Sequence, residues 1–546
     1  MLRLQSYMPV PRFPDNDAQM QGGIRGKFLW VFLSLLSAVL LILTFPLPGI
    51  SPFAWVALAP LYAVIRTSSL KRSLLAALLT GVLFNIIYLL WMKEYKHPAT
   101  LSGGIFAELL FFVFSALLIW ALARKAGRLT ALYLALGWFA VDYLKTVGFL
   151  GFPWGILGYS QYKNPLLIQN ASLFGVWGIN FLLLYANAAL SSVLVRINGR
   201  FLRTQGERWT IIVGHLCAVV LLSAAALVYG AFKLTEEKKT EFTTTRVALI
   251  QANFDPWSPD LKGNLSMEMD LTNRALRQDP DLVVWSESSV PLLYNFALER
   301  KNKYARRIHK YILRTGKAFL FGTLEFSGSY EDGEYDGDFY NVAVYYNEGK
   351  QQGTYRKMHL VPFGEWFPYK RLFPFVVRIL ENAGAGDFRP GEEYTVFNGP
   401  GYDMSVLICY EDVFGDLARR FVLRGSDLLI NVTNDAWTGS RKAEIQHFAK
   451  SIFRTVENRK SLIRAANGGV TACIDPYGRI IDEIELFTAD YLVCDVPIAR
   501  GGPTFYTRFG DLLPRIVWAF VFLILLKKSV DRLVNRHKIK TGTGIA

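Results

Sequence analysis

Cysteine is scarce in this chain. Four occur in 546 residues (Cys217, Cys409, Cys473 and Cys494), with no CxxC pair and no dense spacing. The pattern indicates neither a disulfide framework nor a zinc site, so any special cysteine has to be argued singly. Charge is scarce too: 19% of residues are charged against 52% hydrophobic, which excludes a disordered or low-complexity protein. Acidic residues are thinnest outside 243–500. That segment holds 31 Lys+Arg and 34 Asp+Glu, whereas the remainder holds 29 basic and 11 acidic residues. The net charge of +15 therefore belongs to the most apolar part of the chain, which argues against a nucleic-acid partner.

Long apolar runs fill residues 28–231. A span needs about 20 mostly apolar residues, and seven candidates precede the soluble region: 28–47, 52–66, 73–92, 103–123, 130–149, 166–195 and 209–231. An eighth follows at 512–527. The second is short and Pro-flanked, so the first two can also be read as a tight hairpin or a partly re-entrant pair. The first segment lacks a small-residue cleavage site and reads as an anchor rather than a removed signal. With the N-terminus in the cytoplasm, twenty Lys and Arg fall in the inside segments and three (Lys93, Lys96, Lys163) in the short outside loops. This bias places the soluble region outside the cytoplasm. The expected organisation is a cytoplasmic tail 1–27, a bundle of about seven helices over 28–231, an extracytoplasmic domain 243–500, a last span 512–527 and a basic cytoplasmic tail 528–546. Asp142 and Lys145, three apart in the fifth candidate, share a helix face. They read as an intrahelical ion pair near the membrane surface, or as a contact to a lipid headgroup or to the soluble domain.

From Thr243 onward the pattern changes. RVALIQANF (246–254), DLVVWSES (281–288), AFLFGTLEF (318–326), NVAVYYN (341–347), MSVLICYED (404–412) and DLLINVTND (427–435) read as buried strands. Helical stretches at 265–278, 298–315 and 443–458 separate several of them, which predicts an α/β or layered α+β domain. SGSYEDGEYDGDF (327–339), acidic and Gly-rich, reads as an exposed loop between strands.

Three strand ends carry unusual residues. Glu287 follows a buried run, and a carboxylate held against Trp285 with little water would have its pKa raised towards that of a general base; the plainer reading is a cap at the strand end. Lys357, His359 and Glu365 lie in YRKMHLVPFGEWFP (355–368), where a lysine in a partly dry site can stabilise an oxyanion. His359 reads as a structural histidine. Cys409 sits on the turn out of an apolar run and can present a thiolate beside backbone N–H donors; the other three cysteines read as packing residues.

Glu, Lys and Cys ending three strands in this chain order resemble the nitrilase superfamily, whose catalytic Glu, Lys and Cys sit in an αββα sandwich. The local matches are Glu287 in WSES, Lys357 in YRKMHLVPFGE and Cys409 in ICYE. Together with the apolar bundle and the final span, the chain from about 28 to 530 is similar to the membrane-bound branch that acylates bacterial lipoproteins. Further family-like stretches are GFPWGILGYSQ (151–161), NVTNDAWTG (431–439) and ENRKSLIRAANGGVT (457–471). Two departures stand out. Ser286 occupies the position before the acid where the family commonly has Pro, and the leader 1–27 and segment 327–339 match no motif.

The resemblance implies a polytopic α-helical membrane bundle joined to an α/β nitrilase-like αββα domain in a bacterial inner membrane. It implies a phospholipid acyl donor and an S-diacylglyceryl-cysteine apolipoprotein acceptor, with no metal and no organic cofactor. Glu287 would be the base, Cys409 the nucleophile and Lys357 the oxyanion stabiliser. Glu365 would orient Lys357 or handle the amine proton, Tyr410 and Glu411 would shape the nucleophile turn, and Trp257 would lie near a substrate entrance. The stretch 365–380, mixing aromatic and basic residues, reads as a membrane-facing lid. Rival readings are a membrane-anchored amidase or thioesterase using the same triad with water, and a non-catalytic lipid-binding scaffold or transporter.

Overall fold

The computed structural model describes residues 24–95, 98–124, 126–198, 206–237, 242–257, 260–367, 374–375 and 386–540. The leader, apart from its last four residues, and most of the expected lid at 365–380, including Phe373, lie outside the described residues.

The apolar runs become helices α1 (Ile24–Thr44), α2 (Ala59–Thr67), α3 (Leu70–Tyr88), α4 (Pro98–Ala123), α5 (Thr130–Leu144), α6 (Val176–Ile197) and α7 (Trp209–Glu237). Four of them are long and apolar enough to cross a bilayer by length and composition: α3, residues 101–123 of α4, α6 and α7. Helix α7 leaves Val220, Leu221, Val228 and Phe232 more than half exposed, a surface suited to lipid rather than water. The second predicted span turns out broken. Helix α2 has nine residues, about 13.5 Å of helix against a hydrocarbon core of roughly 30 Å. Its open N-terminus is capped from α6: the backbone N–H groups of Leu58 and Ala59 donate to Asn187 Oδ1 at 2.7 and 3.0 Å. Such internal satisfaction is what allows a helix to break at membrane depth. The predicted run 166–195 is interrupted as well. Gly175 takes φ +61° and the Tyr506 ring occupies the space a side chain would need, so the continuous helix begins only at Val176.

The soluble part is built from β1 (Thr243–Gln251), α8 (Leu261–Ala275), β2 (Leu282–Trp285), β3 (Val290–Leu293), α9 (Lys303–Thr315), β4 (Ala318–Glu331), β5 (Glu334–Asn347) and β6 (Lys350–Arg356), followed by β7 (Phe397–Asn398), β8 (Asp403–Ile408), α10 (Gly415–Leu423), β9 (Leu428–Asn434), α11 (Arg441–Asn458), β10 (Ser461–Asn467), β11 (Ala472–Ile474), β12 (Ile480–Glu483) and β13 (Asp490–Ile498). Helix α12 (Leu512–Lys540) returns to the bundle. One sheet runs β13-β1-β2-β4-β5-β6, with β3 beside β4; the other runs β12-β11-β10-β9-β8-β7. The two-residue period of strands sorts the side chains of the first sheet. Val247, Leu249, Val284, Leu320 and Tyr345 join the core shared with Met404, Val406 and Ile430 of the second sheet. Their neighbours Ala248, Ile250, Val283, Phe319 and Val344 form a separate core under α8 and α9. With α10 and α11 on the far side of the second sheet, the result is an αββα sandwich. The same buried cluster extends past the second sheet to Ile452, Phe453 and Val456 of α11 and into bundle residues such as Trp154 and Leu157.

Two expectations need correction. Residues 327–339 are not a loop: β4 and β5 form one long hairpin that turns at Asp332 and Gly333. The acidic and glycine content hid four aromatics on one face. Phe326 pairs with Phe339 and Tyr330 with Tyr335 directly across the strands, and Arg300 lies 4.4 Å from the centroids of both Phe296 and Tyr330. Cross-strand aromatic pairs of this kind stabilise a ribbon. The second correction concerns Cys473 and Cys494, expected as separate packing residues but joined in a disulfide between β11 and β13.

Candidate active site

Lys357 follows β6, and its backbone N–H donates to the Asn341 carbonyl at 2.9 Å. Its ammonium, 1% exposed, lies 2.8 Å from Glu365 Oε1 and 3.4 Å from Glu287 Oε1. Asn341 Nδ2 bridges the same two carboxylates, donating to Glu287 Oε1 at 2.8 Å and Glu365 Oε1 at 3.0 Å. The other oxygens are held by backbone: Asn434 N–H donates to Glu287 Oε2 at 2.9 Å, and Val361 N–H to Glu365 Oε2 at 2.8 Å. Burial alone would lower the Lys357 pKa; the charges of Glu365, Glu287 and Cys409 outweigh it and hold the ammonium well above the usual lysine value.

Glu287 is not held against Trp285, as the sequence reading expected. Strand β2 stops at Trp285, whose ring points into the outer core and whose Nε1 donates to Thr272 Oγ1 at 2.9 Å. The chain then turns through Ser286 and Ser288, the latter at φ 56°, and aims Glu287 into the polar cluster. Gly322 makes the approach possible, since a Cβ there would lie 2.6 Å from the Glu287 Cα.

Cys409 directly follows β8 with φ 52°, a left-handed backbone that costs a non-glycine residue about 1–3 kcal/mol. Asn431 Nδ2 supports that turn by donating to Leu407 O at 3.0 Å and Cys409 O at 3.2 Å. Burial pushes the Cys409 thiol well up, the nearby Glu287 charge adds to this, and the Lys357 ammonium pulls it back. A thiol in this state rests protonated and needs a base.

Glu411, two residues after the cysteine, is fully buried and turned away from the thiol. Its Oε1 accepts the N–H groups of Met358 (2.7 Å) and His359 (3.0 Å), its Oε2 accepts Ile408 N–H (2.7 Å), and Tyr355 O–H reaches both oxygens. Burial raises its carboxyl to about 7. Tyr410 points the other way, its O–H donating to the carbonyl of Gly151 in the bundle at 2.6 Å. The His359 ring packs against Phe414 at 3.8 Å between centroids, tilted by 36°, and burial followed by the Lys357 charge lowers its pKa to about 4. Trp257, 36% exposed, packs edge-on against Trp437, three residues beyond the Asn434 that holds Glu287. A cleft of about 750 Å³ lies elsewhere, between α8 and α9 on the outer layer.

Sequence reading missed Asn341 and a fully buried network behind the cysteine turn. Arg464 donates to Asp412 Oδ2 (2.7 Å), Asn431 Oδ1 (2.6 Å) and Asp435 Oδ2 (2.5 Å), while His447 bridges Asp412 (2.8 Å) and Asp435 (3.1 Å). Although burial opposes it, the two carboxylates raise the His447 pKa. The available signal was Arg464 itself, a charge within the apolar run SLIRAA that had to be paired.

An αββα sandwich with a cysteine on a strained strand end, beside a lysine and two glutamates, is a domain of the carbon-nitrogen hydrolase class. Residues 246–506 match that family's model, and residues 37–189 match the apolipoprotein N-acyltransferase N-terminal domain. Among relatives, the chain is 31% identical to apolipoprotein N-acyltransferase 1 of Treponema denticola, covering 95% of this chain and 100% of that one. It is 34% identical to the apolipoprotein N-acyltransferase of Geobacter metallireducens, covering 93% and 95%. Among solved structures, a nitrilase-superfamily amidase from Nesterenkonia superposes at TM-score 0.36 with 21% identity, over 51% of this chain and 98% of that one. The chain belongs to the apolipoprotein N-acyltransferase family. It is a multi-pass membrane protein.

Proposed function

We propose that the protein transfers an acyl chain from a membrane phospholipid to the N-terminal α-amine of S-diacylglyceryl-cysteine apolipoproteins, through a thioester on Cys409. The observation that carries this reading is the convergence of Lys357, Glu287 and Glu365 on the Cys409 turn, in a domain whose core runs unbroken into the bundle. In the first half-reaction Glu287 takes the Cys409 proton as Sγ attacks the phospholipid ester carbonyl. Lys357 stabilises the tetrahedral oxyanion together with the backbone N–H beside Cys409. The C–O bond breaks, the alkoxide takes the proton from Glu287, and lysophospholipid leaves. In the second, the lipoprotein amine attacks the thioester, a carboxylate of the cluster takes its proton, and the C–S bond breaks to give the amide and the free thiol. Glu365 positions Lys357 and is the second candidate for the amine proton. Tyr410 and Glu411 set the turn, and Trp257 with Trp437 marks an entrance for substrate.

The membrane part is taken as 28–231 with a last span beginning at 512, and the domain 243–500 as catalytic and periplasmic. In support, Arg66 pairs with Glu207 at 3.0 Å, and Lys528 donates to the carbonyls of Ala121, Leu122 and Arg124. These basic residues share the bundle end opposite Trp91, Gly151 and Trp154, which meet the domain. The test is to incubate the purified protein with acyl-labelled phospholipid and a diacylglyceryl-cysteine peptide, beside Cys409→Ala. Amide-linked label, absent from the variant, is expected; label released only as free fatty acid would make the protein a hydrolase.

A further inference from the structure

Three charged side chains are buried together in the bundle: Glu108 on α4, and Asp142 and Lys145 at the end of α5. The Lys145 ammonium donates to the carbonyl of Trp154 at 2.6 Å and pairs with Glu108 Oε2 at 3.3 Å, while Asp142 Oδ1 is 4.0 Å away. Asp142 Oδ2 accepts instead from Asn180 Nδ2 on α6 at 3.0 Å. The intrahelical pair expected from the sequence is thus the longest of these contacts, and the lysine's shortest is to the loop that meets the domain. Charges at such depth are costly, and a packed apolar cluster would serve stability as well. The position of Trp154 supplies a reason for keeping them.

The Trp154 ring is stacked between bundle and domain. Phe152 lies parallel to it at 4.6 Å, Tyr410 at 5.8 Å and 14°, and the Lys450 ammonium of α11 sits 3.7 Å from its centroid. Tyr410 directly follows Cys409 and donates its O–H to Gly151, in the same short segment. Residues 151–154 therefore grip Tyr410 by ring and hydroxyl, and Lys145 anchors the far end of that grip. We propose that Lys145, held by Glu108, is a positioning residue for the nucleophile, fixing the strained Cys409 turn through Trp154 and Tyr410. This rests on Cys409 being the acylated residue. It makes the bundle part of the catalytic geometry as well as an anchor.

The test uses the full-length protein in phospholipid nanodiscs, with Lys145→Met, Lys145→Arg, the neutral pair Glu108→Gln/Lys145→Met, and Trp154→Leu. Carbamidomethylation of Cys409 by iodoacetamide is followed by peptide mass spectrometry, which separates it from the exposed Cys217. Thermal midpoints and the kcat and KM of N-acylation are measured alongside. Lys145→Met, the neutral pair and Trp154→Leu should slow alkylation and kcat at least tenfold with KM for the peptide unchanged, and Lys145→Arg should recover most of the loss. A neutral pair that melts like the wild type and alkylates at its rate overturns the proposal. If neither Lys145→Met nor the neutral pair folds, a wild-type alkylation rate in Trp154→Leu overturns it. Absence of acyl-Cys409 in the wild type would instead sink the transferase reading, and the alkylation rates would still report on positioning.

Discussion

Glu411 accepts the backbone N–H of Met358 at 2.7 Å, so the residue two places after the proposed nucleophile holds the loop that carries the proposed oxyanion lysine. One carboxylate fixes the distance between two halves of the site contributed by different sheets. In Glu411→Gln the amide nitrogen would have to face a backbone donor. We expect a loss of about 3 kcal/mol or more from the donors left unsatisfied, and acylation of Cys409 slowed at least tenfold. Thermal melts and acyl-enzyme mass spectrometry check this; a variant matching the wild type in both would remove Glu411 from the scheme.

Lys357→Met removes a cation beside Cys409 that favours its thiolate. Iodoacetamide labelling of Cys409 should slow, and N-acylation should fall by two orders of magnitude or more. Labelling at the wild-type rate would show that the ammonium does not act on the thiol.

Asn341→Ala tests a residue that no motif pointed to. Without its bridge, Glu287 and Glu365 lose a shared donor, and the Lys357 ammonium is free to follow either one. Activity should drop about 10- to 100-fold through kcat. An effect confined to KM would place Asn341 in binding rather than in orientation.

Gly322→Ala forces a methyl group against the Glu287 backbone. Overpacking of this sort costs about 1–3 kcal/mol, and here the displaced residue is the proposed base. A lower melting point accompanied by a lower acylation rate is the expected result; unchanged rates would mean the turn can shift without moving the carboxylate.

His359 supplies a pH dependence. Its pKa falls from 6.5 to about 4 on folding, through burial and the Lys357 charge, so the unfolded chain binds its proton more readily. The stability it contributes is complete above pH 6.5 and is lost as pH falls towards 4, an effect of about 3 kcal/mol. The melting point of His359→Gln should fall less steeply across that window than that of the wild type. Parallel slopes would contradict the assignment.

The strands before Glu287 and Cys409 were legible because a buried run ending in a polar residue is a local pattern, whereas β6, which leads into Lys357, is polar and half-exposed and was not read as a strand. Glu365 was legible from the same loop. Asn341 and His447 were not, since each acts through partners that sequence spacing does not reveal: Asn341 bridges two loops, and His447 joins Asp412 to Asp435 across α11 and β9. Only the outer part of the hairpin, 327–339, was misjudged, because glycine and acid content outweighed an aromatic pairing visible only once the strands are in register. The broken α2 was half legible: Pro-rich flanks marked the interruption, but the cap that stabilises it comes from Asn187, about 130 residues away in the chain.

Helix α12 closes against α4 and α5, far earlier in the chain. Trp518 Nε1 donates to the carbonyl of Ala140 at a separation of 378 residues, and Lys528 reaches Ala121 across 407. During synthesis the entire soluble domain has to emerge between these partners. Contacts this distant form slowly, so the bundle stays unsealed along its α4–α5 side until α12 has been made. The soluble domain is thereby enclosed in a loop whose two ends meet within the helical bundle.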